Sequence, residues 1–324
     1  MKAMMFDRYG GPEVLQWRET PTPLPKDNEV LVRIHATVAT PPDCAFRSAD
    51  PFIIRLFVGL LRPKLQIPGD AMAGVVDSVG RSVTRFRPGD RVFGAAGLGL
   101  GAYAEYKCLP ETEALVTMPD GSDFGEAVAL CEGYLTAMPF LRDEAKLKPG
   151  QRILINGASG SVGTIAVQLA KAMGAEVTAV CSGRNAELVT RLGADHVIDY
   201  TREDFTRRTA AWDVIFDAVG TNSFARSRGA LAAGGTFMTT VPTLNILMHM
   251  LRKNRPDGKR AVMATTGLRK PADKIADIAI LSKMIAAGRL RAVIDKRMPL
   301  AHAAAAHAYV ETGRKRGSVV LDIA

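Results

Sequence analysis

The chain changes rhythm along its length. Residues 30–38 alternate and are β-branched, the period-two pattern of a strand. Gly74-Val75-Val76-Asp77-Ser78-Val79-Gly80 is a short strand bounded by glycines, and Pro88-Gly89-Asp90 is turn chemistry ahead of a strand at 91–93. Short strands between closely spaced turns predict a barrel-like β domain in the first third. After about Pro119 the pattern switches. Strands are expected at 153–155, 176–181, 196–198, 214–217, 236–240 and 261–264, separated by helix-length sequence that includes helices at 162–173 and 185–192. Strand-helix alternation of this kind predicts a parallel, doubly wound sheet. A helix at 272–287, closed by Gly288, and two short strands around an alanine-rich helix at 301–310 complete the chain.

The fold class is therefore α/β, a doubly wound parallel sheet with a second, β-rich domain. A length of 324 residues suits two domains, and a 47% hydrophobic share supports a large core without metal or disulfide staples. Lys and Arg number 42 against 33 Asp and Glu, and the net charge of +9 fits an anionic ligand. The basic residues are dispersed apart from Arg314-Lys315-Arg316, and no zinc-finger spacing or aromatic-basic pattern appears. A nucleic-acid partner is thus not expected. Cys44, Cys108, Cys131 and Cys181 form no CxxC pair and suit a reducing compartment. Met1-Lys2-Ala3-Met4 opens no apolar signal core, and no apolar run approaches the ~20 residues of a membrane span. A cytoplasmic location is expected.

The strongest local signal is Asn156-Gly157-Ala158-Ser159-Gly160-Ser161-Val162-Gly163. It follows a strand and opens a helix, so Ala158, Gly160 and Gly163 take the three positions of a GxGxxG-type dinucleotide turn, with alanine for the first glycine. The first position allows a tight turn, Gly160 lets backbone approach a pyrophosphate, and Gly163 lets the helix pack on the strand. Helix N-terminal N–H groups then face the anion. The ligand group at the adenosine ribose is read after the second strand, where NAD enzymes carry a carboxylate. Here the run is Val180-Cys181-Ser182-Gly183-Arg184-Asn185, with no carboxylate before Glu187. Ser182 and Arg184 can donate to a 2′-phosphate, so NADPH is expected over NADH. The alternative for Arg184 is a solvated surface side chain.

These motifs stand in a recognisable order. Tyr9-Gly10-Gly11-Pro12-Glu13-Val14-Leu15, Gly69-Asp70-Ala71-Met72-Ala73-Gly74, Phe86-Arg87-Pro88-Gly89-Asp90-Arg91-Val92-Phe93-Gly94, Leu135-Thr136-Ala137, Leu192-Gly193-Ala194-Asp195 and Gly317-Ser318-Val319-Val320-Leu321 flank the glycine loop. Over essentially its whole length the chain resembles the medium-chain dehydrogenase/reductase superfamily, in its zinc-independent quinone-oxidoreductase branch. The resemblance implies a GroES-like domain from residues 1–121 and 267–324 and a Rossmann NADP-binding domain from 122–266. It implies a cleft between them for the nicotinamide, in a homodimer or homotetramer. Thr136 is then expected beside the nicotinamide or its ribose, with a helix-start cap as the alternative, and Val241 and Pro242 at the ring's edge.

Zinc members of the superfamily carry an early Cys and a Gly-His-Glu; here those places read Thr40 and Gly69-Asp70-Ala71. Cys131 and a distant carboxylate do not make a tetrahedral site, so no metal is expected. Without metal, hydride must go to a substrate that is already electrophilic, a small quinone or α,β-unsaturated carbonyl compound. Many relatives carry Asn-Pro-x-Asp-x-Tyr facing the substrate; this chain has Thr40-Pro41-Pro42-Asp43-Cys44-Ala45. Thr40 is the candidate hydrogen-bond partner of the substrate carbonyl, Asp43 reads as turn-forming, and solvent supplies the proton because Ala45 replaces the tyrosine. His35, His196, His249, His302 and His307 read as structural or solvated. Two basic-apolar segments, 51–62 and 244–255, read as packing surface or as a hydrophobic lid that touches membrane when the substrate is a lipid quinone. The alternatives to a quinone or enone reductase are an NADPH-binding sensor without turnover and an enoyl-thioester reductase.

Overall fold

The computed structural model describes residues 1–251 and 256–323. The chain divides into two compact units, Met1–Glu132 with Gly267–Ala324, and Gly133–Thr266.

The first unit begins with β1 (Lys2–Met5) and β2 (Gln16–Glu19), paired antiparallel. The long strand β3 (Glu29–Ala39) leads into helix α1 (Pro41–Ser48) and the single turn α2 (Arg55–Val58). Strands β4 (Ala71–Val79), β5 (Arg91–Ala95), β6 (Tyr106–Pro110) and β7 (Leu115–Thr117) follow. Helix α3 (Phe124–Pro139) carries the chain out of this unit, so the junction after Glu132 lies inside a helix. The pattern did not reveal α3 because Ala127, Val128, Ala129, Leu130, Cys131 and Tyr134 are all buried. A helix apolar on every side has no 3.6-residue stripe to detect.

The second unit alternates as the sequence predicts. Its elements are β8 (Arg152–Asn156), α4 (Ser161–Ala172), β9 (Glu176–Cys181), α5 (Ala186–Arg191), β10 (His196–Asp199), β11 (Trp212–Asp217), α6 (Phe224–Ser227), β12 (Leu231–Thr239), α7 (Leu244–Leu251) and β13 (Arg260–Val262). All six strands are parallel, in the order β10-β9-β8-β11-β12-β13. That is the doubly wound arrangement, with its switch point between β8 and β11. Ile153, Leu154 and Ile155 are fully buried, as a strand covered on both faces requires.

Two crossovers differ from expectation. Between β10 and β11 only a 3₁₀ turn forms (Phe205–Arg207), and between β11 and β12 only the four-residue α6. Asp199 and Asp204 accept the backbone N–H groups of Thr201 and Thr206, and such local bonds compete with helix. Strand β12 also starts earlier than expected. Its register against β11 shifts between Trp212 and Val214, where Gly234 sits at φ 71°.

After Gly267 the chain returns to the first unit as α8 (Pro271–Ala286), β14 (Ile294–Pro299), α9 (Ala303–Glu311) and β15 (Ser318–Asp322). Its seven-stranded sheet runs β14-β15-β3-β4-β5-β7, with β6 also paired to β3. Met4, Val32, Ile34, Met72, Leu115 and Leu321 form its core.

Of the two basic-apolar segments, 51–62 exposes Phe52, Ile53, Leu56, Leu60 and Leu61, with the Arg55 guanidinium over the Tyr9 and Phe52 rings. In the second, Ile246 is buried while Leu247, Met248 and Leu251 are exposed; positions 252–255 lie outside the described residues. Among the described residues no helix is long and apolar enough to cross a membrane.

Candidate nucleotide-binding site

Strand β8 ends at Asn156, and the chain turns at once. Gly157 adopts φ 77°, and a Cβ there would fall 2.3 Å from Val219 Cγ1. The N–H groups of Gly157 and Ala158 both donate to Val180 O at 3.1 Å, and Gly160 N–H donates to Gly157 O at 3.0 Å. The tight-turn role assigned to Ala158 therefore belongs to Gly157, one residue earlier, which is why alanine is tolerated at 158. Ala158 is fully buried. A Cβ at Gly163 would lie 2.1 Å from Gly157 O, so only glycine lets α4 approach the strand end this closely. Gly160 is the N-cap of α4, and a Cβ there would meet nothing nearer than Gly157 O at 3.3 Å. The ground above Gly160 is open to a ligand. Ser161, Val162 and Gly163 begin α4, where N–H groups have no intrahelical acceptor and the dipole favours an anion.

Next to this loop stands the end of β9. Ser182 is half-buried, and Gly183–Asn185 forms a 3₁₀ turn. Arg184 is exposed and makes no ion pair among the described residues. Asn185 is only 4% exposed. Its Nδ2 donates to Ser159 Oγ at 3.0 Å and to Ser182 Oγ at 3.2 Å, joining the glycine loop to the β9 turn. One carboxylate reaches this corner from another strand. Asp199 ends β10 opposite Cys181, and a Cβ on Gly183 would lie 2.6 Å from its Oδ2. Linear reading stopped at Glu187 and missed it; the parallel register is what brings it in. The N–H and hydroxyl of Thr201 hold the Asp199 carboxyl below the usual carboxylate range.

The loops after β11 and β12 complete the strand-end surface. Asp217 is fully buried and accepts from Asn156 Nδ2 at 3.0 Å and from the N–H groups of Val219, Gly220 and Asn222. Burial pushes its pKa up, and these donors pull it back. Gly220, at φ 70°, leaves room for Val241, whose Cγ2 would be 2.5 Å from a Cβ there. Val241 and Pro242 are both exposed at the end of β12, and Val241 shares a small pocket with Asn222, Phe224 and Thr239. Thr136 lies in the last turn of α3, not at a helix start, so the capping alternative falls. It follows by three residues Gly133, whose Cβ would meet Ile165 Cγ1 of α4 at 2.6 Å. The second unit thus gathers residues 158–163, Ser182, Arg184, Val241 and Pro242 along the strand ends, with Thr136 on the neighbouring helix.

Thr40 belongs to the first unit. It caps α1 in a reciprocal box: Thr40 Oγ1 accepts from Asp43 N–H at 3.3 Å, while Asp43 Oδ2 accepts from Thr40 N–H at 3.0 Å and from its hydroxyl at 2.6 Å. The Thr-Pro-Pro-Asp run signals such a cap. Asp43 is buried, and burial pushes its carboxyl up to about 7. Nearby, Arg47 is 1% exposed and pairs with Glu311, with Gly10 O at 3.1 Å and with His307 Nδ1 at 3.2 Å. A guanidinium only donates, so Nδ1 accepts and the imidazole proton sits on Nε2, 3.1 Å from Tyr103 Oη. Burial and the Arg47 charge hold the His307 pKa down to about 3. Asp70 is raised by burial and lowered by Lys274, and its Oδ1 accepts from Gly97 N–H at 2.8 Å. Burial also pushes the Cys131 thiol up. Among the described residues, no three His, Cys, Asp or Glu side chains are grouped to hold a metal ion.

Fold and loop together define a pyridine-nucleotide-binding oxidoreductase. Residues 26–120 match the alcohol dehydrogenase GroES-like domain, and residues 192–321 match a family described as zinc-binding dehydrogenase. A quinone oxidoreductase from Pseudomonas aeruginosa is 35% identical across 99% of both chains. The structure of a quinone oxidoreductase from Coxiella burnetii superposes with a TM-score of 0.89 at 30% identity, covering 100% of this chain and 99% of that one. Escherichia coli quinone oxidoreductase complexed with NADPH gives 0.84 at 27% identity, covering 99% and 100%. The chain belongs to the quinone-oxidoreductase branch of the medium-chain dehydrogenase/reductase superfamily.

Proposed function

We propose that the protein is an NADPH-dependent, zinc-independent reductase of small quinones or α,β-unsaturated carbonyl compounds. The observation that carries the cofactor choice is the turn after β9, where Ser182 and the exposed Arg184, which makes no ion pair among the described residues, stand beside the glycine loop. A carboxylate in that corner, Asp199, accepts from Thr201 through Oδ1 and faces the Arg202 guanidinium through Oδ2 at 3.8 Å. A 2′-phosphate gains charge-assisted bonds there that a ribose hydroxyl does not. The open ground above Gly160 and the α4 N-terminus fit the pyrophosphate. When bound, NADPH supplies the hydride.

The chain's own residues bind and orient. Thr136, Val241 and Pro242 are assigned to the nicotinamide end, and Thr40 to the substrate oxygen. The Thr40 hydroxyl is held by Asp43, and protonation of Asp43 frees that hydroxyl's hydrogen to donate elsewhere. The named relatives support the substrate class, and so does metal-free hydride chemistry, which needs an acceptor whose conjugation spreads the developing charge. The zinc-independent part is supported by Thr40, which caps α1, and by Asp70, whose Oδ1 accepts from the Gly97 N–H. The test is nucleotide oxidation with NADPH and NADH against 1,4-benzoquinone and small enones, before and after chelator treatment. NADPH oxidation that survives chelation is expected. Binding without oxidation, or loss of activity restored by zinc, overturns the proposal.

A further inference from the structure

Asn185 is buried to 4% exposure, yet its Oδ1 has no hydrogen-bond partner among the described residues. Its Nδ2 reaches Ser159 Oγ and Ser182 Oγ at 3.0 and 3.2 Å. A primary amide offers two donors and one acceptor oxygen. With the nitrogen toward the serines, both donors are used and one oxygen is left over. Flipped, the oxygen would accept from both hydroxyls and strand two N–H donors in the interior. The observed orientation is the cheaper one, and it has a consequence for the serines. Each serine oxygen is the acceptor, so each hydroxyl hydrogen is left to point away from Asn185.

We propose that Asn185 is a positioning residue that turns the Ser159 and Ser182 hydroxyls outward as paired donors to a phosphate monoester, the 2′-phosphate of the nucleotide. The inference rests on the nucleotide-site reading above and deepens it. Ser182 follows the second strand, where the adenosine ribose is read. Ser159 comes from the glycine loop after β8, yet one amide nitrogen holds both. Both hydroxyls therefore fall within reach of a single phosphate, whose oxygens can accept from each, with Arg184 adjacent for charge. Ser159, a residue of the glycine loop, thus discriminates NADPH from NADH.

The test titrates the full-length protein with adenosine 2′,5′-bisphosphate and 5′-AMP, and with NADPH and NADH, by fluorescence or calorimetry. Wild type is expected to prefer the bisphosphate by about tenfold or more. In Asn185→Asp the carboxylate accepts both hydroxyls, turns their hydrogens inward and adds negative charge, so that preference should disappear. Affinity for 5′-AMP should move by less than about threefold. Ser159→Ala removes one donor to the phosphate and one acceptor of Asn185 Nδ2 without adding charge, and it should cut the preference by about fivefold while 5′-AMP affinity moves by less than about threefold. A Ser159→Ala protein with wild-type preference, or one that loses both ligands equally, overturns the role even if Asn185→Asp fails to fold. A wild type that binds neither nicotinamide nucleotide overturns the nucleotide-site reading itself, and the Asn185 role with it. A wild type that binds NADPH while the variants keep its preference overturns the Asn185 role alone.

Discussion

In the first unit, Asp43, Arg47, Tyr103 and His307 are all buried and satisfy one another or the backbone. In the second, strands β8 and β11 have apolar centres, and the polar groups stand at the strand ends, with Arg184 exposed there. The difference teaches how to read polar residues. A buried charge must be paired, so its partners are chosen by the fold and its loss is felt as instability. A strand-end loop built on glycine leaves backbone donors and small side chains for a ligand, so its changes are felt as affinity. By this measure the strongly shifted groups, His307 and Asp43, report on folding first. The exposed strand-end corner reports on function.

The sharpest way to break the comparison is Arg47→Leu. It leaves Glu311 and His307 without their donor and should cost about 3–4 kcal/mol of stability, read by urea unfolding. NADPH affinity of the folded protein should stay within about threefold of wild type; a larger loss would erase the division of labour.

The second test uses pH. His307 has a folded pKa of about 3, below its unfolded value, so its contribution is present above pH ~6.5 and is lost as pH falls. Asp43 has a folded pKa of about 7, above its unfolded value, so its contribution is full below pH ~4 and is lost as pH rises. The two slopes oppose each other between pH 4 and 6.5. Asp43→Asn should uncover the histidine, and stability should then fall on acidification by up to about 1.4 kcal/mol per pH unit relative to wild type. Parallel curves for the two proteins would remove Asp43 from the titration.

In the second unit, Gly163→Val drives a side chain into the Gly157 carbonyl. It should destabilise by about 2–3 kcal/mol and abolish nucleotide binding in whatever remains folded. Normal binding would show that α4 can shift without harm. The smallest effect is reserved for Arg184→Ala, which touches no packing. Its melting temperature should not move, while NADPH affinity drops about tenfold and NADH affinity hardly changes. Equal losses for both nucleotides would count against the phosphate role.

Much of the scaffold was legible locally. The β8 strand, the glycine loop and α4 follow one another within about twenty residues, and each reveals itself by its own neighbours: an apolar run, small residues at a turn, then a helical period. The cap at Thr40 is equally local, since its threonine, two prolines and aspartate are four consecutive residues. Helix α3 escaped because burial on every side removes its stripe. The glycine positions were offset by one, since residue type alone does not say which of Gly157 and Ala158 takes the left-handed backbone.

What the chain determined by itself is therefore the order of strands and helices and the chemistry of the phosphate loop, because those depend on spacing along a few consecutive residues. Only the tertiary structure decided which distant groups meet. Asp199 reaches Gly183 because β10 lies beside β9 in parallel register. Asn185 reaches Ser159 across 26 residues, and Arg47 reaches His307 across 260. Such partners are chosen by sheet order and core packing, which fold distant segments together, and no local pattern of hydrophobic and polar positions carries that information.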